Sequence, residues 1–179
     1  MQLLQVEVTV QGQFQGDCLD DFQDISQEPI TPSEWQQWFQ QWLTLQQADL
    51  MPALAYEVSL CLTDDPTIQA LNAQYRQQDQ PTDVLAFAIL EAKGQWLQEA
   101  LQSQPLDLGD IVISVETAAQ QAQRQGHPLR TELAWLATHG LLHLLGWDHP
   151  DQNCLNQMLE QQRLLIQAVG LWVPSTYTD

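Results

Sequence analysis

The stretch PLRTELAWLATHGLLHLLGWDHP, residues 128–150, limits the folds open to this 179-residue chain more than any other segment. Pro128 suits the start of a helix, where its missing N–H would have had no partner. Gly146 suits the end, because glycine takes the left-handed conformation that stops a helix and turns the chain back. Between them, His139 and His143 stand four residues apart. On a helix that spacing is about 400° of rotation, so the two rings share one face about 6 Å apart. The reversal at Gly146 lets His149 swing round and offer a third ring. Three of the chain's four histidines thus point to one metal ion. Three neutral imidazoles with a fourth position left open form a catalytic zinc arrangement, in which bound water has its pKa lowered toward about 7. One zinc ion per chain is expected on His139, His143 and His149, although nickel and cobalt accept the same donors. His127, before a proline in a loop, reads as a surface residue.

The spacing H-x₃-H-x₂-G-x₂-H also follows the long zincin pattern, except that Gly140 stands where that pattern has glutamate. In those metallopeptidases the glutamate is the general base, so the metal site carries over and the peptidase chemistry does not follow. A structural site would instead close with a fourth protein ligand. Cys154, five residues past His149, is the candidate, but it falls inside the pattern of the last helix, near Leu155 and Met158.

Around this segment the chain alternates strands and helices. Residues 3–10, 53–63 and 82–90 read as strands by period-two alternation. Residues 31–50 open with Thr-Pro-Ser-Glu and carry Trp35, Trp38, Phe39, Trp42, Leu43 and Leu45 at helical spacing, an aromatic stripe expected to pack in the core. Residues 64–79 form a helix capped by Asp64 or Asp65, with Pro66 in its first turn. Residues 108–127 begin as a strand, turn helical near Ser114 and stop at Gly126; residues 151–170 are a last helix. Residues 15–31 read as a polar surface loop and 91–105 as a connection of undetermined structure. The order predicts a single α+β domain over residues 1–179, with a small mixed sheet of about four strands and about five helices, and a zincin-like metal site on a helix.

The net charge is −18, with five basic residues: Arg76, Lys93, Arg124, Arg130 and Arg163. So few cations argue against a general nucleic-acid surface, because affinity for phosphate backbones comes mostly from Lys and Arg; DNA is not an expected partner. The three cysteines, Cys18, Cys61 and Cys154, have no metal-type spacing and no even count for a disulfide framework. There is no run of about 18 apolar residues and no basic, apolar leader at the N-terminus, so a cytoplasmic protein without a membrane partner is expected.

The histidine stretch HGLLHLLGWDH resembles the signature H-G-x-L-H-L-x-G-[YW]-D-H of the YbeY family, metal-dependent endoribonucleases of ribosomal RNA maturation. LNAQYRQQDQPTDVLAFAI (71–89) is similar to the family's N-x-x-[YF]-R-x-x-[DN]-x-P-T-D-V-L-S-F segment, and LGDIVIS (108–114) to its L-G-D-I-x-I-S strand. Order and spacing agree over roughly residues 50 to 165. Ala86 stands where the family usually has serine, and Trp147 where tyrosine is common. The resemblance implies a mixed sheet covered by helices, with zinc on the three histidines in a cleft beside the sheet. It marks Arg76 as a functional arginine near the metal, counted with His139 as catalytic. It implies single-stranded ribosomal RNA and the small ribosomal subunit as partners, and late maturation of the 16S RNA 3′ end with ribosome quality control as the role.

A guanidinium is always charged and pairs two oxygens at once, which suits Arg76 to the charge that builds in phosphodiester cleavage. Asp83, Asp110, Glu132 and Asp148 are candidates for carboxylates behind the imidazoles, each with a plain alternative as a cap, turn or helix-dipole residue. Asn72 and Thr82 are weaker candidates. Two other readings stay open: a zinc hydrolase of another class, such as a peptidase, and a ribosome assembly factor whose metal is structural. The missing glutamate weighs against the first, and the −18 charge favours the second.

Overall fold

The structure is a computed structural model and describes residues 4–12, 30–48, 50–89 and 104–173. The 15–31 loop, save its last two residues, and the 91–105 connection, save its last two, lie outside the described residues, as do Cys18 and Lys93. Nine elements follow in the order β1 (Val6–Gly12), α1 (Pro32–Leu45), β2 (Tyr56–Thr63), α2 (Asp65–Arg76), β3 (Val84–Ala88), β4 (Leu106–Ser114), α3 (Val115–Gln125), α4 (Leu129–Leu144) and α5 (Gln152–Ala168). The expected mixed α+β order is therefore present among the described residues.

The sheet order is β1-β2-β4-β3. β1, β2 and β4 run parallel, and β3 pairs antiparallel with β4. Parallel neighbours need crossover connections, and the helices supply them. One face of the sheet, carrying Val58, Leu60, Ile111 and Ile113, joins the main core with α1, α4 and α5. The other face carries Leu85 and Val112, which pack on Ile68 of α2 with Cys61, Leu71 and Phe87 around them.

α1 begins in a capping box. The Glu34 N–H donates to Thr31 Oγ1 at 3.2 Å, and the Thr31 N–H donates to the Glu34 carboxylate at 2.9 Å. Its aromatic stripe packs inward as expected, with Trp35, Phe39 and Trp42 fully buried and in ring contact. Leu45, the final residue of α1, is the exception: it is 56% exposed, while Trp42 and Leu43 of the same turn are fully buried. Gln36 and Gln40 of α1 reach the backbone of β1. The Gln36 amide accepts from the Val8 N–H at 2.9 Å and donates to the Val6 carbonyl at 2.6 Å, while Gln40 donates to the Leu4 carbonyl. These amides occupy backbone groups that a bare edge strand would offer to another chain.

α4 lies at the centre. Residues 131–138 are all buried, on every side of the helix, and so are Gly140, Leu141, Leu142 and Leu144. A helix apolar round its circumference belongs inside. It lies close against β4 at Gly140. A Cβ there would sit 2.7 Å from Ile111 Cγ2, so only a residue without a side chain lets α4 lie this near β4.

Candidate metal centre

α4 ends as the glycine spacing requires. Gly146 has φ +89, and nothing lies within 4 Å of where its Cβ would be, so the position demands a backbone conformation rather than space. The Trp147 N–H returns to the Leu142 carbonyl and the Gly146 N–H to the His143 carbonyl, both at 3.0 Å, closing the helix end. That turn brings back both His149 and the Trp147 carbonyl.

The three imidazoles meet. One ring nitrogen from each of His139, His143 and His149 lies within 4.8 Å of the other two. Ring centroids are 4.7 Å apart for His139 and His143, 5.6 Å for His139 and His149, and 5.3 Å for His143 and His149. Nε2 of His139 and Nε2 of His143 face each other at 3.0 Å. Tetrahedral zinc with bonds of about 2.0–2.1 Å would hold two nitrogens about 3.3 Å apart, so small shifts suffice.

The other ring nitrogens show why Nε2 is the free donor. His143 Nδ1 lies 2.9 Å from the Trp147 carbonyl, which only accepts, so this nitrogen carries the proton. His139 Nδ1 lies 3.3 Å from Oε1 of Gln162. Gln162, in α5, is fully buried and its Nε2 donates to the Trp135 carbonyl at 3.3 Å, which turns Oε1 toward the imidazole. Both Nε2 lone pairs then point at one another, a repulsive arrangement that a shared cation relieves. Burial, reinforced by repulsion from His139 and His149, pushes His143 down to about 4, against the weaker pull of the Trp147 carbonyl and Asp148. The ring is neutral at pH 7, the form a metal needs.

A depressed histidine pKa gives a stability prediction. Between pH 6.5 and about 4 the unfolded chain protonates this ring and the folded chain does not. The contribution of this ring to the stability of the metal-free protein should be whole above pH 6.5 and be lost progressively below, while the His127–Glu132 pair, whose histidine is shifted upward, acts in the opposite sense. A thermal midpoint whose change between pH 7.5 and 5 is the same in the parent and in His143→Ala would contradict this.

The remaining expected residues are placed as follows. Glu132 is fully buried in the first turn of α4 and meets Nε2 of His127 at 2.9 Å. His127 is correspondingly not a surface residue: its side chain is 5% exposed, and Glu132 holds it above its ordinary value although burial alone would lower it. Asp83 Oδ1 accepts from the Val84 N–H at 2.7 Å and from Thr82, and Oδ2 from Gln121 at 2.9 Å, so this carboxylate fixes the entry to β3 against α3. Asp110 precedes Ile111 in β4, so it projects from the face opposite α4 and its imidazoles. Asp148 Oδ1 accepts from the His149 N–H at 2.8 Å and shapes the turn carrying that histidine. Asn72 is buried; its side chain donates to the Gln80 carbonyl, and its own carbonyl accepts from Gln77 and Gln78, holding the turn after Arg76. Cys154 is not in the metal-ligating group; hydrogen bonding to Asp151 raises its pKa and disfavours the thiolate a metal requires.

Arg76 stands exposed in the last turn of α2. Arg124 bonds to Gln120, Arg130 pairs with Glu34 and lies over Trp38, and Arg163 is half-buried in α5. Among the described residues Arg76 and Arg124 are the exposed arginines, and of the two only Arg124 has a side-chain hydrogen bond, to Gln120. Gln162 and the Trp147 carbonyl were missed by sequence reasoning. Gln162 stands one turn after Met158 in an amphipathic, glutamine-rich helix, and no local signal separates it from its neighbours.

Comparison with known proteins supplies a family. The model of a family described as Endoribonuclease YbeY matches residues 21–170, a longer span than the motifs alone cover. Endoribonuclease YbeY of a Nostoc species is 50% identical over 98% of this chain and 96% of its own length. Endoribonuclease YbeY of Acaryochloris marina is 61% identical over 79% of this chain and 80% of its own. The solution structure of a Thermotoga maritima protein, 22% identical, superposes with a TM-score of 0.53 over 91% of this chain and 89% of that one, a likeness of fold.

Proposed function

Because the chain belongs to the YbeY family, we propose that it is a zinc-dependent endoribonuclease specific for single-stranded RNA, acting in late maturation of the 16S ribosomal RNA 3′ end and in ribosome quality control. The small ribosomal subunit is the proposed partner, the cytoplasm the proposed place, and residues 1–179 one catalytic domain. The observation that carries this reading is the convergence of three imidazole nitrogens within 4.8 Å, with no fourth His, Cys, Asp or Glu ligand among the described residues.

His139, His143 and His149 would hold the ion. When bound, zinc supplies Lewis acidity to a phosphodiester oxygen and acidifies the attacking water. The protein's own contribution is to keep the donors neutral and aimed: Trp147 and Gln162 hold the Nδ1 protons, leaving each Nε2 to ligate. Arg76 would pair the phosphate oxygens as negative charge accumulates there. The peptidase reading needs a glutamate at position 140, where Ile111 leaves no room for one.

Arg76→Ala is expected to lower cleavage of a single-stranded RNA on the order of 100-fold, the usual effect of removing a charge-stabilising group. Zinc content per chain should not change. The −18 charge favours the assembly-factor reading as a second. Cleavage by Arg76→Ala at the parent rate would support it, and so would RNA cleavage that survives His143→Ala and therefore comes from a contaminant. Casein left intact under the same conditions separates the nuclease from a peptidase.

A further inference from the structure

The proposed activity leaves a physical problem: a chain with a net charge of −18 must grip a polyanion. The surface next to Arg76 offers a way that does not depend on charge. Tyr75 is 58% exposed although it is a large aromatic residue. Its ring meets Phe87 of β3 edge-on, with centroids 5.1 Å apart and planes at 68°. Phe87 is half-buried and packs with the cluster under α2, so it braces Tyr75 from behind. Asn72, one turn back, is buried and pins the turn that follows. The result is a held ring with an open face, beside the open guanidinium of Arg76. β3 links this platform to the metal helix: Ala86 packs with the core that contains α4, and Phe87 with α2.

Resting on the endoribonuclease reading, we propose that Tyr75 is a base-stacking residue for single-stranded RNA, with Arg76 taking the adjoining phosphate. Stacking accepts any base and needs no net positive charge, which suits so acidic a chain. A rigid ring braced in advance also loses little freedom on binding. Binding should then depend weakly on salt. One phosphate contact on a single strand gives a slope of about −0.7 in log K against log salt.

The test uses the zinc-loaded full chain and two fluorescent ten-nucleotide probes, an oligouridine and its abasic counterpart, followed by anisotropy. Tyr75→Ala should weaken oligouridine binding on the order of tenfold. Tyr75→Leu, which keeps apolar contact with Phe87 but has no aromatic face, should weaken it as much, and Tyr75→Phe should restore it to within about twofold. On the abasic probe parent and variants should bind alike, and in cleavage KM should rise while kcat holds. Equal loss on both probes, leucine binding as well as phenylalanine, or a salt slope worth several phosphates would overturn the proposal while leaving the nuclease intact. If the parent protein binds neither probe, the endoribonuclease reading itself fails.

Discussion

His143→Ala should leave a folded chain that neither retains zinc through dialysis nor cleaves single-stranded RNA. His143 supplies one of three nitrogens, and its Nε2 sits 3.0 Å from that of His139. Two protein ligands fall short of the three that a catalytic zinc site uses. The graded comparison is Gln162→Leu. It keeps the buried volume and removes only the acceptor for His139 Nδ1 and the donor to Trp135. Losing an outer partner of a metal ligand typically costs about 10–100-fold in affinity, so Gln162→Leu should bind zinc that much more weakly and His143→Ala far more weakly still. Competition with a chromophoric chelator measures both. Gln162→Glu should recover most of the affinity, since a carboxylate oxygen also accepts from Nδ1. Parent-like affinity in Gln162→Leu would mean that the tautomer of His139 is set by something else.

Gly140→Glu, which writes the peptidase signature into this helix, should unfold the protein rather than convert it. The new Cβ alone would stand 2.7 Å from Cγ2 and 3.2 Å from Cγ1 of Ile111, a fully buried, β-branched residue with little freedom to turn away. The carboxylate would then follow into a buried layer between α4 and β4. Overpacking typically costs about 1–3 kcal/mol, and an unpaired buried charge more. A loss on the order of 4 kcal/mol or beyond is a large part of a domain's whole stability. Gly140→Ala isolates the first term: its gain of about 1 kcal/mol in helix propensity should be outweighed by the clash. Urea titration of both variants decides the matter, and an unchanged midpoint for Gly140→Glu would show that α4 can lift off the sheet at no cost.

Much of the architecture was legible in the sequence because its signals are local. Pro128 and Gly146 mark where α4 lies, and the four-residue step from His139 to His143 places two rings on one face whatever surrounds the helix. Thr31 and Glu34 announce α1, and Ser114 marks where β4 gives way to α3. The carboxylates near the motif were less legible. Glu132 stands seven residues before His139, yet it turns to His127; Asp110 is near in the sheet, yet it projects from the far face. Spacing along one element says which side chains share a face, not which neighbouring element that face meets.

The sequence by itself determined the three imidazoles and the reversal that brings them together, because a helical turn and a glycine's left-handed backbone act within a few residues. Only the tertiary structure decided how those rings are held. The Gln162 amide comes from α5, 23 residues away from His139, and the room for α4 against β4 depends on Gly140 meeting Ile111. Those contacts join elements brought together by packing of the core, and core packing is a property of the whole chain that no local pattern records.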